Sequence, residues 1–441
     1  MWGGGKWLVQ NKVLPGFYHK FLSASKTGIA ISDRGRAAIG LELDWGAEGE
    51  IVAVENAAFL KDTKKIFGYS YTDEKMKPLR EIFMNATVLY FYRLNGGGVK
   101  ATGKWGSAKY SGTRGNDIKI VVSASVDEVG KFDVDTYLAG AKVDTQRVSA
   151  MSELVDNDYI DWKKDAVLEA DAGTSFVGGT NGTTSGDSHQ AFLDKAERVP
   201  FHTLACNSND KVTIGLYVAY TKRMCDEVGK VFQLVICGAD ADGGEVAPDN
   251  YNVIVVQNKV LDAGVPEYAL IYWALGAHAG VAVNKTLQNK IYDGEYKVDV
   301  DYTQTDLINF VNGGKFAFHE AGEKVRVLAD INSFVTLTEE EQGEFRNNQS
   351  VRVFYQQVTD LSAAFNKNYQ GITPNDQDGR SAFRGAVIKY LETLQDIRAI
   401  QEFDPDTVVV EKGEAKGTVM LSYPTNAVNA MYQLYATITV Q

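Results

Sequence analysis

The side chains that could do chemistry in this chain are few and scattered. Five histidines stand at His19, His189, His202, His278 and His319, and none has a cysteine or carboxylate beside it at metal-ligand spacing. His319-Glu320 opens like the H-E-x-x-H helix of a zinc peptidase, but position 323 is Glu323 and no second histidine follows. Asp240, Asp242 and Glu245 have the look of a calcium loop, yet Gly244 occupies a position that needs a ligand, so the stretch reads as a solvated turn. The glycine-rich run 178–186 (GGTNGTTSG) lacks the lysine of a phosphate loop and the spacing of a dinucleotide fingerprint. No G-x-S-x-G elbow is present, so a serine–histidine–aspartate set would have to assemble from distant segments. Cys206, Cys225 and Cys237 form no C-x-x-C pair and read as reduced, buried thiols of a protein made in a cytosol. His202 reads as a strand residue with a satisfied ring, and Cys225 as helix core. No catalytic residue, metal or cofactor is expected. Arg380, Arg384 and Lys389 form a basic set that is either a solvated face or a surface for an acidic partner.

Composition narrows the classes. The chain has 441 residues, 44% hydrophobic and 23% charged, in the range of ordinary globular proteins. That length predicts about three domains, because single cores stop growing at roughly 250–300 residues. The net charge of −12 argues against a general nucleic-acid binder, which needs a basic face to release counterions. The first residues, Met1-Trp2-Gly3-Gly4-Gly5, have no apolar core of a signal peptide.

The elements that would position any site are organised around residues 199–284. Continuous apolar runs at 201–205, 232–237 and 253–256 predict strands covered on both faces, as in a parallel sheet between helices. A helix between the first two should bury Leu216, Ala219, Tyr220 and Val228. A second helix, 268–283, is crowded with Ala274, Gly276, Ala277, Ala279 and Gly280, so something packs close to its backbone. Its apolar run is too short to span a bilayer.

Residues 1–20 read as an arm, with Trp7, Leu8 and Val9 in an extended piece and a break at Pro15-Gly16. Strands are expected over 28–55 and 87–94, with short helices at 57–67 and 75–85. Gly96-Gly97-Gly98 marks a boundary. Short strand candidates at 109–110, 118–124, 131–134, 144–148 and 176–177 then predict a β-sandwich inserted in the α/β body. The run 178–186 reads as a flexible re-entry. Farther on, Thr338 with Glu341 reads as a capping box opening a helical region. A first long helix should bury Val351, Phe354, Val358, Leu361, Phe365 and Tyr369. A second should bury Phe383, Val387, Leu391, Leu394 and Ile397. The last strand, 431–440, alternates Tyr432, Leu434, Ala436, Ile438 and Val440 on one face, and its edge needs a partner.

Taken together these segments resemble the contractile-tail sheath proteins of bacteriophages, in the branch of phages and phage-like particles of Gram-positive bacteria. The resemblance rests on Gln10-Asn11-Lys12-Val13 with Pro15-Gly16, on Leu43-Asp44-Trp45-Gly46, and on Tyr110-Ser111-Gly112-Thr113-Arg114-Gly115-Asn116-Asp117. It continues through Val283-Asn284-Lys285-Thr286-Leu287, Tyr292-Asp293-Gly294, Asp330-Ile331-Asn332-Ser333, Phe345-Arg346-Asn347 and Asp378-Gly379-Arg380 to the final strand. It is their order and spacing that carry it.

The resemblance implies an α/β and α+β multidomain chain. Its parts would be an arm (1–20), an α/β body of subtilisin-like, non-catalytic fold (21–95 and 179–335), an inserted β-sandwich (96–178) and an α+β C-terminal domain facing a tail tube (336–441). It implies terminal arms that exchange strands with neighbouring copies, which places Trp7, Leu8, Val9, Tyr432, Leu434, Ile438 and Val440 in that interface. Arg380, Arg384 and Lys389 become tube-facing candidates. The implied partners are the chain itself, in hexameric rings stacked helically, a tail tube protein, and baseplate and tail terminator proteins, with no nucleic acid and no membrane insertion. The implied role is structural: a sheath, assembled in the host cytoplasm, that contracts to drive a tube through a cell envelope. A tail-like bacteriocin or secretion-system sheath would use the same machine, and a hydrolase is the reading in another class.

Overall fold

The continuous apolar runs become the middle of one sheet. A computed structural model describes residues 28–440 and, as paired backbone, β1 (Gly3–Lys6) and β2 (Gly16–His19), which run parallel. The body begins with β3 (Arg36–Leu41), β4 (Ile51–Glu55), α1 (Asn56–Phe67), α2 (Lys77–Phe83) and β5 (Val88–Arg93). The chain then leaves for a sandwich of seven strands: β6 (Lys100–Gly103), β7 (Gly106–Ser111), β8 (Ile118–Ala124), β9 (Phe132–Leu138), β10 (Ala141–Val148), β11 (Ile160–Trp162) and β12 (Asp171–Ser175). They form two sheets, ordered β10-β9-β8-β12 and β11-β7-β6, around a core of their own. Ala139 and Gly140, both at positive φ, make the two-residue turn between β9 and β10.

The chain returns through α3 (Gly186–Ala196), β13 (Thr203–Ala205), α4 (Lys211–Arg223), β14 (Gln233–Cys237), β15 (Val253–Val256), α5 (Leu270–Gly280), α6 (Gln304–Asn312) and β16 (Lys315–Phe316). The body sheet is ordered β16-β15-β14-β13-β3-β5-β4, and only the edge strand β4 runs antiparallel to its neighbour. Every residue of β13, β14 and β15 is buried, as continuous apolar runs require. A small hairpin, β17 (Phe318–Glu320) with β18 (Val325–Val327), follows.

The small residues of α5 do let a backbone approach. A Cβ on Gly276 would lie 2.1 Å from the Ile82 carbonyl oxygen, and one on Gly280 would lie 1.8 Å from that of Asn85, so α2 and the turn after it sit against this face. No helix of the described residues is long and apolar enough to cross a membrane. The α4 face differs from expectation: Ile214, Tyr217, Tyr220 and Thr221 are buried, whereas Ala219 is exposed and Val228 is 49% exposed. Large residues lie on two faces of this helix, and spacing by itself does not choose between them.

Glu81 on α2 is fully buried. It accepts the Tyr292 hydroxyl at 2.8 Å and the Glu295 backbone N–H, while Arg80 grips Glu295 at 2.6 and 2.7 Å. Burial raises the Glu81 carboxyl to about 6. The folded chain therefore holds this proton more tightly than the unfolded chain does. Stability should fall by about 2 kcal/mol as pH rises from the ordinary carboxylate range through that value. Urea unfolding across roughly pH 4–7 should show this slope, and Glu81→Gln should flatten it. An unchanged slope would remove Glu81 as its source.

The body–sandwich crossing is not the flexible re-entry expected from its glycines. A Cβ on Gly98 would fall 2.0 Å from the Thr180 oxygen, one on Gly182 1.9 Å from that of Gly96, and one on Gly112 1.9 Å from that of Asp44. The two passing segments pair at Val99–Thr180 and Thr102–Val177. Trp45, from the body loop, is fully buried in the sandwich core, and Arg93 donates to the carbonyls of Gly46 and Ser111 at 3.1 and 2.9 Å. Here glycine serves close approach of two backbones.

The C-terminal part contains α7 (Asn348–Asn368), α8 (Gln377–Asp396) and the hairpin β19 (Val409–Lys412) with β20 (Val419–Ser422). Thr338 and Glu341 bond each other, but as an isolated turn; the helix starts ten residues later, at Asn348. The first half of α7 buries polar residues (Gln349, Ser350, Arg352, Gln356 and Gln357) beside Val351 and Val353, while Val358 of the expected face is 44% exposed. On α8, Phe383, Val387, Leu391 and Leu394 are buried as expected, joined by Tyr390; Ile397 lies past the helix end. Two compact units result. One holds residues 1–31, 360–396 and 402–426; the other holds 32–359, 397–401 and 427–441. This break between the two units falls inside α7, and the sandwich lies in the same unit as the body.

Candidate functional site, an assembly surface

His278, His189 and His202 sit in structural surroundings. His278 lies 3.9 Å from Asp330 with both side chains sealed from solvent, and neither ring nitrogen has a hydrogen-bond partner. Burial holds its pKa down to about 3. Asp330 is already engaged by Thr286, the Leu287 N–H, Asn348 and, at 2.6 Å, Arg352, so this pair has no substrate access and no free carboxylate. His189 bonds Tyr217 at 3.0 Å, and His202 accepts the Arg36 N–H at 3.3 Å as a satisfied ring beside β13. Asp240 accepts the N–H groups of Asp242 and Gly244, which makes a turn. Cys206 and Cys237 are buried and Cys225 is half-buried, all unbridged.

The exposed apolar surface concentrates at the C-terminal segment. Tyr432 is 62% exposed and Leu434, Ile438 and Val440 are 85–90% exposed, and none of 431–440 lies in a strand of the single chain. Trp7, Leu8 and Val9 lie outside the described residues. The root of this segment, by contrast, is clamped. Gln349, buried at the start of α7, donates to the Val428 carbonyl at 2.9 Å and accepts the Ala430 N–H at 3.2 Å. Ser350 and Glu344 hold the Asn429 side chain at 3.0 and 3.2 Å, and the Val428 N–H donates to Ala399. A polar helix start reads as solvated in sequence, so nothing local marks this clamp.

In the smaller unit, α7 and α8 are joined by the buried Tyr390 hydroxyl donating to Asp360 at 2.9 Å. The basic set sits here. Arg380 donates to both oxygens of Asn375 at 3.0 Å, and Arg384 donates to the carbonyls of Val408 and Pro405 at 2.7 Å, so both secure loops. Lys389 is exposed. β19 and β20 form a two-stranded sheet with an unpaired edge on each side among the described residues.

The family descriptions match in chain order: "Tail sheath protein Gp18 domain III N-terminal region" over 34–94, "Phage tail sheath protein beta-sandwich domain" over 96–181, "Phage tail sheath protein central domain" over 182–333 and "Phage tail sheath C-terminal domain" over 340–441. A crystal structure of a sheath tail protein from Desulfitobacterium hafniense is 32% identical, with a TM-score of 0.78, over 90% of this chain and 93% of that one. This chain belongs to the phage tail sheath family. The phage-like element PBSX protein XkdK of Bacillus subtilis is 28% identical over 98% of both chains. The contracted helical sheath of the anti-feeding prophage shares the fold, at 15% identity and a TM-score of 0.59, over 97% of this chain and 99% of that one. The sheath resemblance read from the sequence is thus established, and the chain is a structural tail sheath protein with a β-sandwich domain on a mixed α/β body.

Proposed function

We propose that copies of this sheath protein assemble as stacked hexameric rings around a tail tube and are tied to one another by exchanged terminal strands. The observation that carries the reading is the apolar, alternating segment 431–440, exposed beyond a root that Gln349 holds. The two open edges of the β19–β20 sheet are the natural acceptors, since an added strand satisfies edge N–H and C=O groups. Contraction then lowers the free energy by rotating whole subunits outward while the exchanged strands stay paired. Six parallel-paired strands support the subtilisin-like reading of the body, and the sealed His278–Asp330 pair supports a non-enzymatic role. The assembly would form in the host cytoplasm as part of a virion tail or phage-like particle, with a baseplate and a terminator at its ends.

Electron microscopy of the purified protein should show rings or helical tubes. A monodisperse monomer at high concentration would overturn the reading. Lys389 is the cleanest probe of the tube-facing set, because changing Arg380 or Arg384 would also disturb the loops they hold. Lys389→Glu should weaken co-assembly with tubes at low salt and matter less at high salt, since an exposed pair contributes about 0–1 kcal/mol. Equal co-assembly at every salt concentration would remove Lys389 from the tube interface.

A further inference from the structure

The smaller unit contains a pocket of about 230 Å³. Phe365 and Tyr369 from the end of α7, Phe383 from α8, Pro374, Arg380 and Val419 line it. Tyr369 and Phe383 meet edge to face with ring centres 4.7 Å apart, and Phe365 lies 5.6 Å from Phe383, so one wall is a fixed aromatic cluster. Arg380 is held to Asn375 at the rim. The space exceeds the roughly 150 Å³ of an apolar cavity that takes up benzene, so it has room for a large side chain.

Its place at the sheet edge points to an occupant. Val419, the first residue of β20, lines the pocket, and the far edge of β20 pairs with no strand among the described residues. Val419 and Leu421 are half-buried on this face, while Met420 and Ser422 are exposed on the other. A strand added along that edge would extend the Val419–Leu421 face, and its alternate residues would come down over the aromatic wall. The segment 431–440 has the matching pattern, with Leu434, Ile438 and Val440 on one face and fully in need of cover.

We propose that this aromatic pocket receives a large apolar side chain from segment 431–440 of a second copy of the chain, and so fixes the register of the added strand. Hydrogen bonds along an edge are alike at every two-residue step, and a single pocket breaks that degeneracy. The proposal rests on the strand-exchange reading above and names where the incoming strand is recognised.

Gly417 offers a way to close the pocket without disturbing the fold. It lines the pocket, its backbone does not require glycine, and a Cβ there would meet no heavy atom within 4 Å. A fluorescein-labelled peptide of residues 430–441 would be titrated by anisotropy against the protein lacking the exposed residues 431–441, whose acceptor edge is left vacant, and against the same protein carrying Gly417→Trp. Binding to the truncated protein is expected, with at least a tenfold loss on Gly417→Trp and an unchanged thermal unfolding curve. The same loss is expected when the peptide carries Leu434→Asp with Ile438→Asp. Equal binding to both proteins would overturn the pocket while leaving strand exchange standing. No binding to either would overturn both. Loss of binding on Gly417→Trp seen for a peptide of residues 1–20, but not for 430–441, would overturn the proposal in favour of the other arm.

Discussion

Removing residues 431–441 should abolish rings and tubes while leaving a folded, soluble monomer. The segment contributes almost nothing to the fold of its own chain, since Met431, Leu434, Tyr435, Ile438 and Val440 are all 85% or more exposed. Its root at 427–430 stays in place, held by Gln349, Ser350 and Ala399, so the truncation ends at a natural anchor. On exchange, each buried large side chain contributes about 1.5–3 kcal/mol. Four of them give roughly 6–12 kcal/mol before the cost of ordering the strand, enough to dominate one contact between subunits. The body sheet does not depend on the arm, so circular dichroism and the thermal midpoint should hardly move. Sedimentation and electron microscopy would be run beside the full chain. Normal tubes from the truncated protein would sink the idea that this arm links subunits. Removing residues 1–12 is expected to act in the same way on the partner strand.

Arg352→Met should destabilise the larger unit by about 3–5 kcal/mol, because it strands a carboxylate in a sealed site. Asp330 and Arg352 are each 1% exposed at the side chain and meet at 2.6 Å. Their shell includes Thr286, the Leu287 N–H, Asn348 and the Lys285 carbonyl. The Arg352 and His278 neighbours and these hydrogen bonds outweigh burial, and hold the Asp330 carboxyl well below the usual carboxylate range. Its contribution is therefore complete above the unfolded carboxylate value and is lost as pH falls through the folded one. The double variant Asp330→Asn with Arg352→Met should recover much of the loss, since it removes the stranded charge. Urea unfolding of the four-member cycle at neutral pH measures this. A small, additive cost for Arg352→Met would mean that water or backbone shifts neutralise the site. The network also joins the first half of α7 to the loop 285–287 of the body, so its loss should loosen the root on which the terminal arm depends.

Several features were written plainly in the sequence because they are set within a few residues. Continuous apolar runs predict β13, β14 and β15, since a strand covered on both faces has no polar side to show. The crowded glycines and alanines of α5 predict a close neighbour, and the order of short motifs along the chain identifies the family. The alternation in 431–440 was legible too, and its apolar side chains lie exposed in the single chain. Other features were decided only when distant segments met. The glycines near 98 read as a boundary and those near 182 as flexibility, yet both serve close approach between segments some eighty residues apart. The buried stripe of α7 reads as apolar through Val358, but its polar residues win. Asp330, Ser32 and Val428, all remote in sequence, supply hydrogen bonds that make burying arginine and glutamine cheaper than leaving those partners unpaired. The same applies to Arg380 and Arg384, whose charge is legible but whose use, holding loops at 375 and 405–408, is not. Periodicity reports which side of an element is apolar. It carries no information about which polar groups will find partners, because those partners lie elsewhere in the chain.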